Sequence, residues 1–467
     1  MSSTRQTAIS ELAMLNPQIF REYDIRGIAD VDLPDEGVKL LGRALGTFFL
    51  RQGARSVNLG RDARLSSDRL RDALIEGLLA TGCHVTDLGK VPTPLLYFSV
   101  YHLQTDAGVM ITGSHNPPEY NGFKTMLGKS TIYGAQIQEI AQIVRSGSLS
   151  QGEGKLSQVD VSDAYVDLVA SQFDFPRRVR VVIDAGNGAA GPTMHKLLSR
   201  LKVEPIELYF EMDGRFPNHH PDPTVEKNLD DLKLAVKQHQ ADLGIAFDGD
   251  GDRLGAVTET GEVVWGDQLM LIYGREILSR KPGATLIGEV KCSQVMYDEL
   301  KRLGANVIMY KTGHSLIKAK MKQAQAELAG EMSGHMFFAD RYLGYDDALY
   351  AACRLIEIVA RSRKPLSAQL EGLPRTVTTP EIRLDCSDET KFAIVEGVAE
   401  HYRGRRPVID VDGVRVVFDQ GWGLVRASNT QPVLVMRFEA HTPELLAQYR
   451  AEVEGVVHSV SQRVLAS

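Results

Sequence analysis

The sequence contains few cysteines and no long hydrophobic run, and each scarcity excludes a class of protein. Its four cysteines lie far apart without a CxxC pair, which argues against a zinc site or a disulfide framework. No stretch approaches the length of a membrane span, and residues 1–11 lack the uninterrupted apolar core of an export signal. The net charge of -7 provides no general positive field for nucleic acid or acidic membranes. We therefore expect a cytoplasmic protein that binds neither nucleic acid nor membranes.

The 467 residues are too many for one hydrophobic core, and the length suggests about three or four domains. Strands that alternate with helices of about ten to fifteen residues indicate βαβ units and a largely parallel sheet, and this pattern occurs three times. The paired strands are predicted at 56–60 and 84–88, at 180–184 and 204–208, and at 284–291 and 306–310. These repeats predict an α/β protein with three copies of one layer domain.

The pattern changes after residue 373. Alternating strands at 413–418 and 432–439, followed by a closing helix from Thr442, predict an antiparallel α+β domain. Polar or glycine-rich segments mark the predicted domain boundaries, which place the domains at 1–158, 159–261, 262–373 and 374–467.

The stretch from Ile111 to Lys124 concentrates reactive side chains. It holds Ser114, His115, an amide and Lys124 within fourteen residues, directly after a short apolar strand at 108–112. A polar turn is the alternative, because Gly, Ser, Asn and Pro are common turn residues. A nucleotide-binding phosphate loop is poorly supported, because Gly122 precedes Gly128 by six positions where the Walker pattern needs five.

Three aspartates alternate with glycines in the segment from Asp248 to Arg253. Asp248, Asp250 and Asp252 would lie on one side of an extended chain, and their hard oxygens suit Mg²⁺. An EF-hand loop also begins Asp-x-Asp-x-Asp, but Arg253 stands where that loop needs Gly and the flanks resemble strands. A solvated acidic turn is the remaining alternative.

Two further segments could recognise a sugar phosphate. The segment from Glu331 to His335 offers a carboxylate and, at Ser333, a hydroxyl, which together match the donors and acceptors of vicinal sugar hydroxyls. The segment 426–430, predicted as a loop, supplies an arginine fork and neutral donors that could cradle a phosphate: Arg426, Ser428, Asn429 and Thr430. Each segment could equally be an ordinary polar turn.

Additional candidates lie in loops and in the first predicted extended segment. Lys291 and His314 occupy positions after strands of the third domain. Residues 19–27 are predicted to be extended and to present Arg21, Tyr23 and Arg26 on the same side.

Taken in this order, the motifs resemble the α-D-phosphohexomutase superfamily over nearly the whole chain. Thr112–Pro117 and Asp248–Arg253 are highly specific to it, and Glu331–His335 resembles the bacterial phosphomannomutase/phosphoglucomutase branch. The phosphoglucosamine branch typically has Gln at the position of Met332, so a phosphoglucosamine mutase is the alternative. The resemblance implies four domains around a central cleft and interconversion of hexose 1- and 6-phosphates of mannose, glucose or both.

The resemblance also implies roles for individual residues. Ser114 would be phosphorylated, with one Mg²⁺ per chain held by Asp248, Asp250, Asp252 and a phosphoryl oxygen on Ser114. A hexose 1,6-bisphosphate would be the intermediate and activator. The other implied catalytic residues are Arg26, His115, Lys124, Arg253, His314 and His335, among which Lys124, His314 and His335 are candidate general bases.

The implied substrate-binding residues are Tyr23, Lys291, Glu331, Ser333, Arg426, Ser428, Asn429 and Thr430. The expected partners are small sugar phosphates, and the expected state is a monomer or weak dimer. A metal-dependent sugar phosphatase and an inert sugar-phosphate-binding protein are the alternatives from other functional classes.

Overall fold

The computed structural model describes residues 15–429 and 431–466, so the predicted polar leader lies outside the described residues. The chain divides into two compact units. The first unit runs up to Gly266 and includes Ser333–Gln369. The second unit consists of Asp267–Met332 and the chain from Leu370 onward. The third predicted domain therefore contributes residues to both units.

The first domain is a mixed sheet with strand order β1-β5-β4-β2-β3-β7, and β6 pairs with β5. The strands are β1 (Ile25–Ile28), β2 (Ser56–Arg61), β3 (His84–Lys90), β4 (Ala107–Ile111), β5 (Tyr120–Leu127), β6 (Ser130–Thr131) and β7 (Leu156–Gln158). The helices are Ala29–Asp32, Asp35–Arg51, Ser67–Leu79, Thr93–His102 and Ala135–Ser146, with a 3₁₀ turn at Pro17–Ile19. Strand β2 is parallel to both β3 and β4, as the repeat pattern predicts, and buried Leu, Val, Ile and Phe side chains fill the core.

The second domain repeats this arrangement with strand order β12-β11-β10-β8-β9. The strands are β8 (Val179–Asp184), β9 (Val203–Leu208), β10 (Leu243–Phe247), β11 (Leu254–Thr258) and β12 (Val263–Val264). The helices are Ser162–Ala170, Ala190–Arg200 and Asp230–Gln238, with a 3₁₀ turn at Glu226–Leu229. Strand β8 is parallel to β9 and β10, whereas β10 and β11 form an antiparallel hairpin.

In the second unit, β13 (Thr285–Glu289) pairs in parallel with both β14 (Asn306–Tyr310) and β15 (Leu328–Gly330). The helices of this part are Gly266–Arg280, Gln294–Arg302 and His314–Ala324. The rest of the third domain, in the first unit, contains β16 (Met336–Phe338) and the helix Ala348–Arg361. That helix is buried from its first residue to Ala360, so it is a central element of the first unit.

The C-terminal domain is an antiparallel sheet with order β17-β22-β21-β20-β19, and β18 pairs with β22. Its strands are β17 (Val377–Thr378), β18 (Ile382–Asp385), β19 (Val408–Ile409), β20 (Val414–Phe418), β21 (Gly421–Ala427) and β22 (Val433–Ala440). Helices Lys391–Tyr402 and Pro443–Ala466 pack on one apolar face, and a 3₁₀ turn at Ser367–Leu370 precedes the domain. The predicted four-domain α/β architecture with an antiparallel last domain is confirmed. Within the described ranges, no helix combines the length and the hydropathy needed to cross a bilayer.

Two local predictions were wrong. Residues 19–27 are not one extended segment, because a 3₁₀ turn ends at Ile19 and a bend covers 22–24 before β1 begins at Ile25. Residues 248–253 form a tight hairpin turn. The turn therefore brings the three aspartates together, instead of the side-chain alternation of an extended strand.

A buried carboxylate begins the central helix of the first unit. Asp347 accepts a hydrogen bond from the Tyr350 amide at 2.9 Å and caps the helix Ala348–Arg361. It also accepts hydrogen bonds from the hydroxyls of Tyr165 at 2.9 Å and Tyr342 at 2.6 Å. Burial raises the pKa of Asp347 to about 6, although the Tyr342 hydroxyl and the Tyr350 amide act to lower it.

This raised pKa predicts a pH-dependent stability contribution. The folded state binds the proton more tightly than the unfolded state, so the contribution is complete below pH ~4 and is lost as pH rises through ~6. We expect wild type to gain about 1 kcal/mol of unfolding free energy over Asp347→Asn when pH falls from 7 to 5. Urea unfolding of both proteins at the two pH values measures this difference. Parallel pH dependence of the two proteins would contradict the assignment.

Candidate active site

Ser114 lies just past the end of β4 in a conformation that its neighbours impose. Its φ angle is +50°, in the left-handed region, and its side chain is 1% exposed. Its amide donates to Thr112 Oγ1 at 2.8 Å. A Cβ on Gly113 would stand 2.5 Å from Arg64 Cζ, so glycine is required at that position.

Arg64 fixes the loop that carries Ser114. This fully buried guanidinium donates to the carbonyl oxygens of Ser114 at 2.8 Å and Tyr120 at 2.9 Å, and also to those of Asn116 and Pro117. Arginine suits this position because its planar fork holds several donors in fixed directions. The serine loop is therefore clamped through its main chain.

The Ser114 hydroxyl faces a carboxylate and an imidazole. Oγ donates to Asp248 Oδ2 at 2.7 Å and lies 3.1 Å from His115 Nδ1. Burial lowers the pKa of His115 well below its usual range, and the nearby Arg253 and Arg26 guanidinium groups lower it further. The ring is therefore neutral at pH 7. The main-chain oxygen of His115 accepts a hydrogen bond from His220 Nε2 at 2.5 Å.

The aspartate hairpin lies between β10 and β11 and packs directly on the serine loop. Asp248, Asp250 and Asp252 are fully buried, and a Cβ on Gly249 would lie 2.5 Å from the Ser114 carbonyl oxygen. Asp248 Oδ1 accepts hydrogen bonds from the amides of residues 252 and 253, both at 3.1 Å, which closes the turn. The second domain therefore presents its carboxylates to the Ser114 loop of the first.

Lys124, on β5, contacts two of these carboxylates. Its ammonium lies 2.7 Å from Asp250 Oδ2 and also binds Asp252 Oδ2. The Thr93 hydroxyl donates to the same Asp250 oxygen at 2.5 Å. Although burial acts to lower the pKa of Lys124, the charges of Asp250 and Asp252 raise it above its usual range.

The buried carboxylates have pKa values shifted in opposite directions. Burial and the charge of Asp250 raise the pKa of Asp248 well above its usual range and also raise that of Asp252. Burial acts in the same direction on Asp250, but the Lys124 ammonium outweighs it and lowers the pKa of that carboxyl. Such crowding of negative charge is typical of a site that holds a cation.

The donor set fits a metal ion. One oxygen atom from each of Asp248, Asp250 and Asp252 can be chosen so that all three lie within 4.8 Å of one another. Asp250 Oδ1 and Asp252 Oδ1 are buried and have no hydrogen-bond partner among the residues that the structure describes. A buried acceptor without a partner is costly, and a bound cation would satisfy both oxygens. The cluster can therefore hold a metal ion.

Three basic residues border the aspartate cluster: Arg253 at the end of the hairpin, and His335 and Arg26 from other segments. Arg253 Nε donates to His335 Nε2 at 2.8 Å, and His335 Nδ1 lies 3.0 Å from the buried Asp346. The imidazole is thus held between a guanidinium and a carboxylate. Arg26, on β1, donates to Asn116 Oδ1 at 2.7 Å in the serine loop.

Other predicted residues lie in the second unit, around Lys291 and Arg426. Lys291 Nζ is 3.2 Å from Glu381, and this ammonium lowers the pKa of Glu381 to about 2. Although burial acts to lower the pKa of Lys291, the charges of Glu289 and Glu381 raise it. Arg426 Nε donates to Asp412 at 3.0 Å. Arg426 is the last but one residue of β21, so the loop predicted for 426–430 begins only after Ala427.

The remaining predicted residues occupy turns and helix ends. Glu331 is buried and accepts the Gly313 amide at 2.7 Å, and His314 begins the helix His314–Ala324. The Ser428 carbonyl accepts a hydrogen bond from the buried Lys391 ammonium at 2.6 Å. Tyr23, Ser333 and Asn429 are partly exposed, as is His314. Thr430 lies outside the described residues.

The structure thus places the predicted residues in both units. The first unit brings together Ser114, His115, Lys124, Arg26, Asp248, Asp250, Asp252, Arg253 and His335. The second unit contains Lys291, His314 and Glu331, and also Arg426, Ser428 and Asn429 at the end of β21 and directly after it. Sequence reasoning missed Arg64, Glu289, Asp346 and Asp412, each of which acts on residues distant in sequence or on main-chain atoms.

Sequence models of one family match four consecutive segments of the chain. They are described as phosphoglucomutase/phosphomannomutase alpha/beta/alpha domain I at 17–151, domain II at 163–261, domain III at 265–377 and the C-terminal domain at 381–456. A phosphomannomutase/phosphoglucomutase of Pseudomonas syringae pv. tomato is 45% identical over 97% of this chain and 96% of its own length. A phosphoglucomutase of Neisseria gonorrhoeae is 42% identical over 96% of this chain and 98% of its own length.

A solved structure extends the likeness to three dimensions. A phosphoglucomutase/phosphomannomutase family protein from Burkholderia thailandensis superimposes with a TM-score of 0.90 at 41% identity. The match covers 96% of this chain and 98% of that protein.

Proposed function

The chain belongs to the phosphoglucomutase/phosphomannomutase family and is a phosphohexomutase that acts on sugar phosphates, and we propose that Ser114 carries the phosphoryl group that it moves. In the proposed route, the phosphorylated serine gives its phosphoryl group to O6 of a hexose 1-phosphate. The resulting hexose 1,6-bisphosphate then returns the phosphoryl group from O1 to the serine and leaves as the 6-phosphate. We assign mannose and glucose phosphates as the substrates.

One observation carries this proposal. The buried Ser114 hydroxyl lies 2.7 Å from Asp248 in a cluster where Asp250 Oδ1 and Asp252 Oδ1 have no hydrogen-bond partner among the described residues. A phosphoserine adds about 1.5 to 2 negative charges at this point. Three buried carboxylates and a phosphoserine can share this site only with a cation between them, and the two oxygens without a hydrogen-bond partner among the described residues are available to bind it.

The cluster would hold Mg²⁺, because its donors are all hard carboxylate oxygens. Asp248, Asp250 and Asp252 would hold the ion together with an oxygen of the phosphorylated Ser114. When bound, the ion supplies electrostatic stabilisation of the negative charge on the transferring group. One ion per chain satisfies this cluster.

The basic residues of the first unit would bind and orient the reacting phosphoryl group. Arg253 and Arg26 border the cluster and supply planar donor forks, which suit phosphate oxygens. Tyr23 would contribute its hydroxyl from the bend before β1. The neutral His115 lies 3.1 Å from Oγ and would orient the serine oxygen.

A general base must accept the proton of the sugar hydroxyl. His335 Nε2 already accepts a hydrogen bond from Arg253, so its proposed role is to position that guanidinium. Lys124 is an ammonium that Asp250 and Asp252 hold in its charged form, so His314 remains the candidate for the proton transfer. We propose that the enzyme is a monomer or weak dimer in the cytoplasm, since the proposed roles require no residue of a second chain.

The second unit would bind the rest of the substrate. Arg426, with Ser428, Asn429 and Thr430, would hold the phosphate that does not react. Lys291 and Glu331 of this unit, and Ser333 of the first unit, would hydrogen bond the sugar hydroxyls, since together they offer both donors and acceptors. A distal phosphate site favours a mutase over a phosphatase, because hydrolysis of a phosphoserine requires no second phosphate.

Truncation of the distal arginine is a direct test of this role. We expect Arg426→Ala to raise KM and lower kcat, with kcat/KM reduced about 100-fold, because remote phosphate binding also orients the reacting end. Steady-state kinetics with glucose 1-phosphate measure both constants. Arg450→Ala is the matched control, because Arg450 is more exposed and, among the described residues, pairs only with Glu454 on its own helix. Unchanged kinetics of Arg426→Ala would remove this residue from the substrate site.

A transfer experiment tests the proposed route itself. The phosphorylated enzyme is incubated with glucose 1-phosphate or mannose 1-phosphate, and the products are separated. We expect the corresponding 6-phosphate, and release of inorganic phosphate alone would instead establish a phosphatase. Parallel kcat/KM values for glucosamine 1-phosphate test the assigned sugars, and a preference for that substrate would overturn the assignment.

A further inference from the structure

The third domain contains a fully buried carboxylate for which the proposed chemistry gives no role. Glu289 ends β13, and its side chain is 0% exposed. Its Oε2 atom accepts hydrogen bonds from the Lys291 amide at 2.8 Å and the Thr312 hydroxyl at 2.9 Å. Its Oε1 atom accepts the Met332 amide at 3.2 Å. One carboxylate therefore joins three loops that are distant in sequence.

Each of the three loops carries a residue that we assign to substrate binding or proton transfer. Lys291 itself belongs to the first loop, and Thr312 lies two residues before His314 in the second. Met332 lies between Glu331 and Ser333 in the third. The carboxylate thus holds the main chain beside every proposed sugar-contacting side chain of this domain.

Further contacts tie the same loops together around Glu289. Glu331 Oε1 accepts the Gly313 amide at 2.7 Å, which joins the second and third loops. The buried Arg415 donates to the carbonyl oxygens of Val290 at 2.6 Å and Cys292 at 2.9 Å, which fixes the first loop on either side of Lys291. The Thr312 amide donates to Asp412, which also pairs with Arg426. The network therefore extends from Glu289 to the proposed phosphate cradle.

Burying the Glu289 carboxylate lowers the free energy of unfolding, so stability alone does not explain why a carboxylate is found at this position. Removing a carboxylate from water costs several kcal/mol, and its bonds to neutral amides and a hydroxyl recover this only in part. Its closest cation, Lys291 Nζ, is 3.9 Å from Oε1 and is also paired with Glu381. An acceptor-only group with two oxygens is, however, well suited to fixing several N–H and O–H donors at once.

We propose that Glu289 is a positioning residue for substrate recognition, which sets the relative placement of the Lys291, His314 and Glu331 loops. It does not contact the substrate itself and acts through the main-chain amides of Lys291 and Met332 and the hydroxyl of Thr312. The inference rests on the proposed role of these loops in sugar binding. It predicts that Glu289 determines substrate affinity and the discrimination between sugars, while the phosphoserine chemistry of the first unit does not depend on it.

The test is Glu289→Gln, which keeps the size of the side chain but replaces one acceptor by an N–H₂ donor. That donor faces an amide or a hydroxyl that also donates, so at least one loop is released. We expect KM for glucose 1-phosphate to rise about 10-fold and kcat/KM to fall about 10- to 100-fold, because small displacements of binding groups are sufficient for such losses. The ratio of kcat/KM values for glucose and mannose 1-phosphates should change at least about 3-fold. Without sugar, phosphate loss from the phosphorylated enzyme to water should stay within about 2-fold of wild type.

Glu299→Gln is the matched control. Glu299 pairs with Arg275 and Arg302 in the same domain but binds none of the three loops. We expect its KM values and its glucose-to-mannose ratio to match wild type. A Glu289→Gln enzyme with lower kcat for both sugars, unchanged KM and an unchanged ratio would show a purely structural role and overturn the proposal.

Two further variants keep the proposal testable if Glu289→Gln does not fold. Thr312→Val removes one hydroxyl from Glu289 and keeps the carboxylate, and we expect KM to rise about 3-fold with the ratio shifted as in Glu289→Gln. An unchanged KM and ratio in Thr312→Val would also overturn the proposal. Lys291→Met distinguishes the positioning role of Glu289 from the sugar-binding role of the three loops. If Lys291→Met raises KM and the Glu289 and Thr312 variants do not, only the positioning role fails; if none does, the sugar-binding role of these loops fails as well.

Discussion

Replacing Ser114 by alanine is expected to abolish the interconversion of hexose 1- and 6-phosphates. The substitution removes the only atom of this residue that can carry a phosphoryl group, so kcat should fall on the order of 10⁴-fold or more. The main chain already holds the φ angle of +50° through Arg64 and the Thr112 hydroxyl, so the variant should fold. Coupled assay of glucose 6-phosphate formation measures turnover. The intact mass of the protein after incubation with glucose 1,6-bisphosphate shows what fraction of it carries a phosphoryl group.

The matched control is Ser99→Ala. Ser99 is also a fully buried serine of the first domain, but its hydroxyl contacts Asn58 and the Leu96 carbonyl. This variant should gain the mass of one phosphoryl group as wild type does and should retain turnover. Phosphorylation of the Ser114→Ala enzyme at full stoichiometry would place the phosphoryl group on another residue and contradict the mechanism.

Asp250→Asn is expected to produce the second largest loss. It removes one of three carboxylates from the cluster and one of the two charges that hold Lys124. We expect kcat to fall about 10³-fold at saturating Mg²⁺, because electrostatic stabilisation supplies most of the rate enhancement in phosphoryl transfer. Isothermal titration with Mg²⁺ should show weaker binding than wild type. This second measurement does not depend on turnover.

Asp242→Asn is the control for this substitution. Asp242 immediately precedes β10, the strand that leads into the aspartate hairpin, and pairs with Arg177 at 3.0 Å. It has no contact with Ser114 or Lys124 among the described residues, so its loss should leave both turnover and Mg²⁺ affinity close to wild type. An Asp250→Asn enzyme with near-normal activity and Mg²⁺ affinity would show that the cluster is not the metal site.

The sequence predicts the fold well because the repeated units are built from local patterns. Strand β14 begins and ends at the predicted residues, Asn306 and Tyr310, and each pair of repeat strands is parallel. The extended prediction for 19–27 was wrong because alternation was inferred from a few side chains. The structure places a bend there, in which Arg21 donates its amide to the Asp24 carbonyl.

The candidate site was predicted where its chemistry is local in sequence. The serine loop and the aspartate hairpin each combine reactive side chains within a few residues, so the motif itself indicates the chemistry. Arg64 and Glu289 were missed because their partners are main-chain atoms up to 56 residues away. A carbonyl or amide carries no signal of residue type, and therefore no pattern in the sequence records these contacts.

Arg64 donates hydrogen bonds to four main-chain carbonyls around Ser114, and this restricts how the two proposed phosphoryl transfers can follow one another. A serine held in this way occupies one place, and its short side chain cannot reach toward two separate sugar positions. In the proposed route, both ends of the hexose would therefore come to the same oxygen in succession, so the bisphosphate would be the moving partner and would reverse its orientation between the two transfers. The residues proposed to bind the sugar hydroxyls must then bind the sugar in two opposite orientations. An inhibitor that fits only one direction would stop the enzyme halfway through its cycle.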